Sequence, residues 1–160
     1  MSDLPFTVRD MTTQIPRWHP WRHLRDQHPD LEVTCRHELH ASRMGLVRGR
    51  RIWLCSTLTQ AERRCTLTHE IVHVERGPLP VGDVAARREE EIVNDIASRR
   101  LIPIEALVDA FRWHRHPSPG QLAEELWVDV PTLQHRMRTL EPMEVAELEY
   151  HLGDEWSWTP

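Results

Sequence analysis

The chain contains no lysine, and all 20 of its basic residues are arginine. Such a bias is the mark of a GC-rich genome and selects no mechanism by itself. What matters for a polyanionic partner is where the arginines lie. Residues 1–116 hold 18 of them interleaved with 16 acids, a formal +2, whereas residues 117–160 hold 2 against 9 acids, a formal −7. No basic stripe emerges, and the acidic end disfavours close approach to phosphates, so DNA is an unfavoured partner. Cysteine is scarce as well. Cys35, Cys55 and Cys65 are odd in number and lack any C-x-x-C spacing, which argues against a disulfide framework and a thiolate zinc site and leaves three buried thiols. No apolar run is long enough to cross a bilayer, and Met1-Ser2-Asp3-Leu4-Pro5 has neither the basic nor the hydrophobic region of a secretory signal. A cytoplasmic protein with no membrane partner is expected. Apolar residues make up 39% of the 160, enough for one core in a chain of this size.

Against that background stands His69-Glu70-Ile71-Val72-His73. Two imidazoles four residues apart share one face of a helix and reach one ion, while the glutamate between them is rotated toward a water on that ion. The flanks predict the helix. Thr59-x-x-Glu62 reads as a capping box, no Gly or Pro interrupts Gln60 to Arg76, and Gly77-Pro78 supplies a stop. His37-Glu38-Leu39-His40 offers a control with one residue fewer between its histidines. Alternation of Leu31, Val33, Cys35, His37 and Leu39 with polar neighbours predicts a half-buried strand there, which sends His37 and His40 to opposite faces.

A catalytic zinc takes three protein ligands and keeps a position for water, so a third donor is required downstream. Asp83 to Leu101 reads as a second helix with Val84, Ile92, Val93, Ile96 and Ala97 as its apolar positions and Pro103 beyond its end. Glu89, Glu90 and Glu91 point about 100° apart, so one of them faces the ion squarely. Glu90 is preferred because Asn94, one turn on, shares its face and can accept an N–H bond from a ligating histidine. Glu91 stays open as the competitor. Cys65, one turn before His69, approaches the same face, but core packing is the better reading.

The run from Thr57 to Pro103, including Arg-Arg-Cys-Thr-Leu-Thr-His-Glu-Ile-Val-His-Val-Glu-Arg-Gly and the later Glu-x-x-x-Asn-x-x-Ala-x-x-x-Leu-Ile-Pro, resembles the ImmA/IrrE family of zinc metallopeptidases. That resemblance implies an α+β, mainly helical, zincin-like domain with a small β-hairpin before the active-site helix. It also implies Zn²⁺ on His69, His73 and Glu90, with Glu70 as the catalytic group. Family members are associated with cutting repressor-type transcription regulators. The chain departs from the family pattern at Val93 and Ile96, both conservative in packing terms.

Two flanking regions complete the reading. Trp18 to His28 suggests an irregular entry and a short helix, and Met44–Val47 with Ile52–Cys55 across Gly49-Arg50 reads as a hairpin whose edge is placed to take an extended substrate. Beyond Pro117-Ser118-Pro119-Gly120, residues 122–133 resemble a helix-turn-helix core, with Ala123, Leu126, Val128 and Leu133 where two helices cross and Asp129 with Pro131 opening the second. Trp127 occupies the turn position where glycine is usual, and Gln134, His135, Arg136 and Arg138 are the groups available for bases or phosphates. Two domains are therefore expected: 1–116, the peptidase, and 117–160, a helical subdomain packed on it. No spacing selects an oxyanion stabiliser among Tyr150, His114, His116, Arg99 and Arg112. The leading function is a zinc-dependent endopeptidase acting on a protein, such as a helix-turn-helix repressor. The alternative is a non-catalytic regulator that zinc stabilises and that binds DNA or a partner.

Overall fold

The capping box at Thr59 forms: the Glu62 N–H donates to Thr59 Oγ1 at 3.3 Å and the Thr59 N–H donates to Glu62 Oε2 at 2.7 Å. It opens a helix over Gln60–Arg76 that ends at Gly77, whose φ of 96° is one that L side chains rarely adopt. In the computed structural model, which describes residues 17–114, 116–153, 156 and 158, this helix is the fifth of the ten α-helices and strands among the described residues. Before it come α1 (Pro20–Gln27), β1 (Glu32–Thr34), β2 (Gly45–Arg48) and β3 (Arg51–Leu54); the Gln60–Arg76 helix is α2. After it come α3 (Asp83–Leu101), α4 (Ile104–Trp113), α5 (Pro119–Leu126), α6 (Val130–Arg138) and α7 (Pro142–Leu152). The fold is α+β and mainly helical, with one small sheet. The reading of Met1–Pro5 lies outside the described residues.

The sheet has the order β1-β3-β2, with β1 parallel and β2 antiparallel to β3, so β2 forms an edge. Gly49, at φ 57°, supplies the positive φ that the two-residue turn between β2 and β3 requires. Alternate residues Ile52 and Leu54 are buried with Leu24 of α1 and Leu67 and Ile71 of α2 in one apolar cluster. Here one expectation fails. The strand expected from Leu31 to Leu39 ends at Thr34, because β3 offers only Arg51 to Trp53 as partners to β1. The chain then follows a loop held by Ser56 N–H to the His37 carbonyl (2.9 Å) and Leu39 N–H to Cys55 Sγ (3.4 Å). His37 and His40 are both exposed rather than divided between two faces.

From Arg64 to Val72 every residue of α2 except His69 is buried, so this helix is the hub of the molecule. Leu67 and Ile71 face the sheet, Val72 meets Val93 and Ala97 of α3, and Cys65 joins a larger cluster with residues of α4 to α7. Cys65 is thus a core thiol, 5% exposed, and burial followed by the nearby Asp129 charge pushes it up to about 11. The contacts of α3 with α2 run antiparallel. Glu89 meets Arg76 and Glu90 meets His73, so residues 83–88 extend past the end of α2. That explains why Val84, an expected core position, is 75% exposed.

The second helix pair has the expected helix-turn-helix form. Asp129 caps α6 by accepting the Thr132 N–H at 2.8 Å, and Ala123, Leu126, Val128 and Leu133 are all buried. Trp127 does adopt the left-handed conformation that glycine usually supplies (φ 56°, ψ 47°). Its strain is offset by Arg64 of α2, which donates to the Trp127 carbonyl at 2.7 Å and stacks 5.0 Å from the indole centroid. Arg136 and His135 of α6 point inward at 1% and 8% exposure, and Arg136 is fixed by Glu144 of α7 and by the Ile102 carbonyl. No helix among the described residues is long and apolar enough to cross a membrane.

Candidate active site

The single opening in the buried run of α2 is at His69, and three side chains of metal-ligating type meet there. His69 Nε2 and His73 Nε2 lie 3.0 Å apart, as the four-residue helical spacing requires. Glu90 reaches across from α3 and places one carboxylate oxygen 3.4 Å from His69 Nε2 and the other 3.2 Å from His73 Nε2. The three competing carboxylates of α3 therefore separate by location. Glu89 is taken by a bidentate pair with Arg76, Glu90 faces both imidazoles, and Glu91 is exposed at the rim of the neighbouring cavity.

Donor chemistry and spacing both suit zinc. Ligand atoms bound to a tetrahedral Zn²⁺ at about 2.0–2.2 Å lie roughly 3.3 Å from one another, close to the separations seen here. Asn94, one turn beyond Glu90, hydrogen-bonds the His69 side chain and is placed to fix the orientation of that ring. Burial and then the neighbouring His73 hold the His69 imidazole below its ordinary pKa, against the opposing pull of Glu90 and Asn94. A neutral ring with a free lone pair is the form that ligates a metal.

Glu70 is set apart from this cluster. It is 9% exposed and makes no hydrogen bond or ion pair among the described residues. Burial first, and the Glu90 charge second, push its carboxyl up to about 7. The edge strand passes directly beside it. A Cβ on Gly45 would overlap the Glu70 carboxylate and stand 2.7 Å from Thr66 Cγ2. Only glycine lets the β2 backbone come this close to the helix.

A cavity of about 520 Å³ opens from Gly45, His69 and Glu70 toward the start of α6, where Thr132 and His135 form its far wall. The sequence reading does not single out Gly45 or the cavity role of His135. An isolated glycine in a strand pattern was a usable signal for the first; nothing local marks the second, because α6 is brought to the cleft by packing against α3. The residues weighed as oxyanion stabilisers are elsewhere. Arg99 pairs with Asp95 and Glu144, Arg112 with His151, and Tyr150 is 85% exposed on α7.

Comparison with known proteins adds one finding. The family model of the IrrE N-terminal-like domain, a peptidase family, matches residues 25–138. That match spans all of β1 to α6, including every residue of the cluster just described. No curated protein and no solved structure matches the chain significantly.

Proposed function

The chain belongs to the ImmA/IrrE family of metallopeptidases, and from that premise we propose that it is a zinc-dependent endopeptidase in which His69, His73 and Glu90 hold the ion and Glu70 is the catalytic base. The observation that carries this reading is the placement of Glu70: a buried carboxylate with no arginine paired to it, one residue from His69 and against the edge strand. When bound, zinc supplies Lewis acidity to the scissile carbonyl and acidifies a water. With the ion held by His69, His73 and Glu90, Glu70 would accept a proton from the attacking water and return it to the leaving amine. Burial raises the pKa of this carboxyl, which favours holding the proton until the leaving amine takes it. Asn94 holds the His69 ring in register.

The β2 edge gives the substrate a place to lie. An extended peptide pairing with Gly45–Arg48 gains main-chain hydrogen bonds and passes beside Glu70. Side chains flanking the scissile bond then have the cavity toward Thr132 and His135 available. A repressor-type regulator carrying a helix-turn-helix is the proposed substrate, and a cytoplasmic location belongs to the same proposal because such regulators act there. The inward orientation of His135 and Arg136 leaves α6 with Gln134 and Arg138 as its outward polar groups from the four first considered, which supports a partner-facing or structural role for this helix rather than DNA reading.

The test is cleavage of a protein or peptide-library substrate by the zinc-loaded full chain, read by mass spectrometry with and without a chelator. Chelator-sensitive cuts are expected, lost in Glu90→Ala together with the zinc held by His69 and His73, and kept in Glu91→Ala. Cleavage unaffected by the chelator, or zinc lost only in Glu91→Ala, would overturn the assignment.

A further inference from the structure

A second convergence of imidazole and carboxylate donors lies away from this site, on the opposite side of the same helix. His23 of α1, His28 at the end of α1 and Glu75 in the last turn of α2 bring one ligand atom each to within 4.8 Å of one another. His23 Nε2 is 2.8 Å from Glu75 Oε1, and His28 Nε2 points at the same oxygen from 3.7 Å. The second distance is too long for a hydrogen bond. A carboxylate alone therefore satisfies one imidazole and leaves the other aimed at an oxygen it does not reach.

The backbone beneath these side chains is well fixed. The His23 N–H donates to the His19 carbonyl at 3.0 Å, the His28 N–H donates to the Leu24 carbonyl at 2.8 Å, and the His28 carbonyl accepts from Leu31 at 3.0 Å. The side chains are also held from behind. Trp18 packs on the His23 ring at 4.6 Å between centroids, and Arg100 of α3 grips Glu75 Oε2 at 2.7 Å, which turns Oε1 toward the histidines. Ligating carboxylates are commonly held by such an outer hydrogen bond. All three side chains are between 23% and 27% exposed, enough for solvent to complete a coordination sphere.

We propose that His23, His28 and Glu75 form a second divalent-metal site, distinct from the His69, His73 and Glu90 cluster. Two imidazoles and one carboxylate select a borderline transition ion such as Zn²⁺ over Ca²⁺ or Mg²⁺, which prefer all-oxygen shells. The bound ion ties α1 to the last turn of α2, and so braces from behind the helix that carries His69 and His73. It takes no part in hydrolysis, since Glu70 and the cavity lie on the other side of α2.

The site is tested by counting zinc in the full-length chain after saturation and removal of free metal. The wild-type chain should hold two equivalents, His28→Ala and His23→Ala one each, and His69→Ala with His73→Ala one. Zinc added to that double active-site variant should raise its thermal unfolding temperature, and the rise should vanish when His28→Ala is added. Because His28 sits at a helix end, His28→Ala keeps the test usable if His23→Ala fails to fold. One equivalent in the wild type that disappears in the active-site double variant would overturn the proposal, as would an unchanged count in His28→Ala. Loss of peptidase activity alone would bear on the first site and not on this one.

Discussion

Glu70 and Glu144 are both largely buried glutamates on helices, and they have been driven in opposite directions. Burial also works against the charge of Glu144, but hydrogen bonds from Arg136, the Glu141 N–H and Arg99 win and bring its carboxyl down to about 2. Glu70 has burial and a second carboxylate around it and no arginine, and it stands at about 7. The difference separates structure from chemistry. A carboxylate whose charge is fully matched locks α6 to α7 and α3, whereas one left unmatched beside an open cavity retains the freedom to move a proton.

That contrast can be broken at several points. The largest effect is expected from His73→Ala, which removes a donor from the three-atom cluster and should take cleavage below detection together with active-site zinc, read by metal analysis on the same sample. Next, Arg136→Ala leaves Glu144 with Arg99 alone and should cost about 1–3 kcal/mol by denaturant unfolding, with active-site zinc retained in the folded fraction. The same pair predicts an acid limb. Because the folded-state pKa of Glu144 lies below its ordinary value of 4.5, its stabilisation is complete above that pH and is lost as pH falls toward about 2. Glu144→Gln should flatten the unfolding curve through that window and lower stability at neutral pH.

Gly45→Ala sharpens the other half of the comparison. The added methyl collides with Glu70 and Thr66, so cleavage should fall by about 10²-fold through misplacement of Glu70, with zinc content little changed and a stability loss of about 1–3 kcal/mol from overpacking. The smallest effect belongs to Thr59→Ala. It removes one half of the capping box and should cost ~1 kcal/mol of stability with no specific effect on turnover.

The parts of this molecule legible in the sequence are those set by local chemistry. The helix α2 begins and ends where the capping box and the Gly77 stop place it, α3 ends before Pro103, and His69 and His73 share a face as their spacing implies, with Glu90 brought to them from α3. The strand after Leu31 was overextended because alternation continues past Thr34 while its partner β3 does not, and pairing partners are not written in a strand's own sequence. Trp127 could be flagged as an odd turn residue, but not the Arg64 guanidinium, 63 positions away, that holds it. The contact of Gly45 with Glu70 was hidden for the same reason, and the Arg136–Glu144 lock, only eight positions apart, because it depends on how α6 and α7 pack across their turn.

The most direct measurement is the turnover of Glu70→Gln against the wild type, with zinc quantified in both. The variant keeps the shape of the side chain and every metal donor, so its zinc content should equal the wild type's while hydrolysis falls by about 10²–10⁴-fold, the contribution of a positioned acid–base group. Cleavage at the wild-type rate with normal zinc content would contradict the role assigned to Glu70.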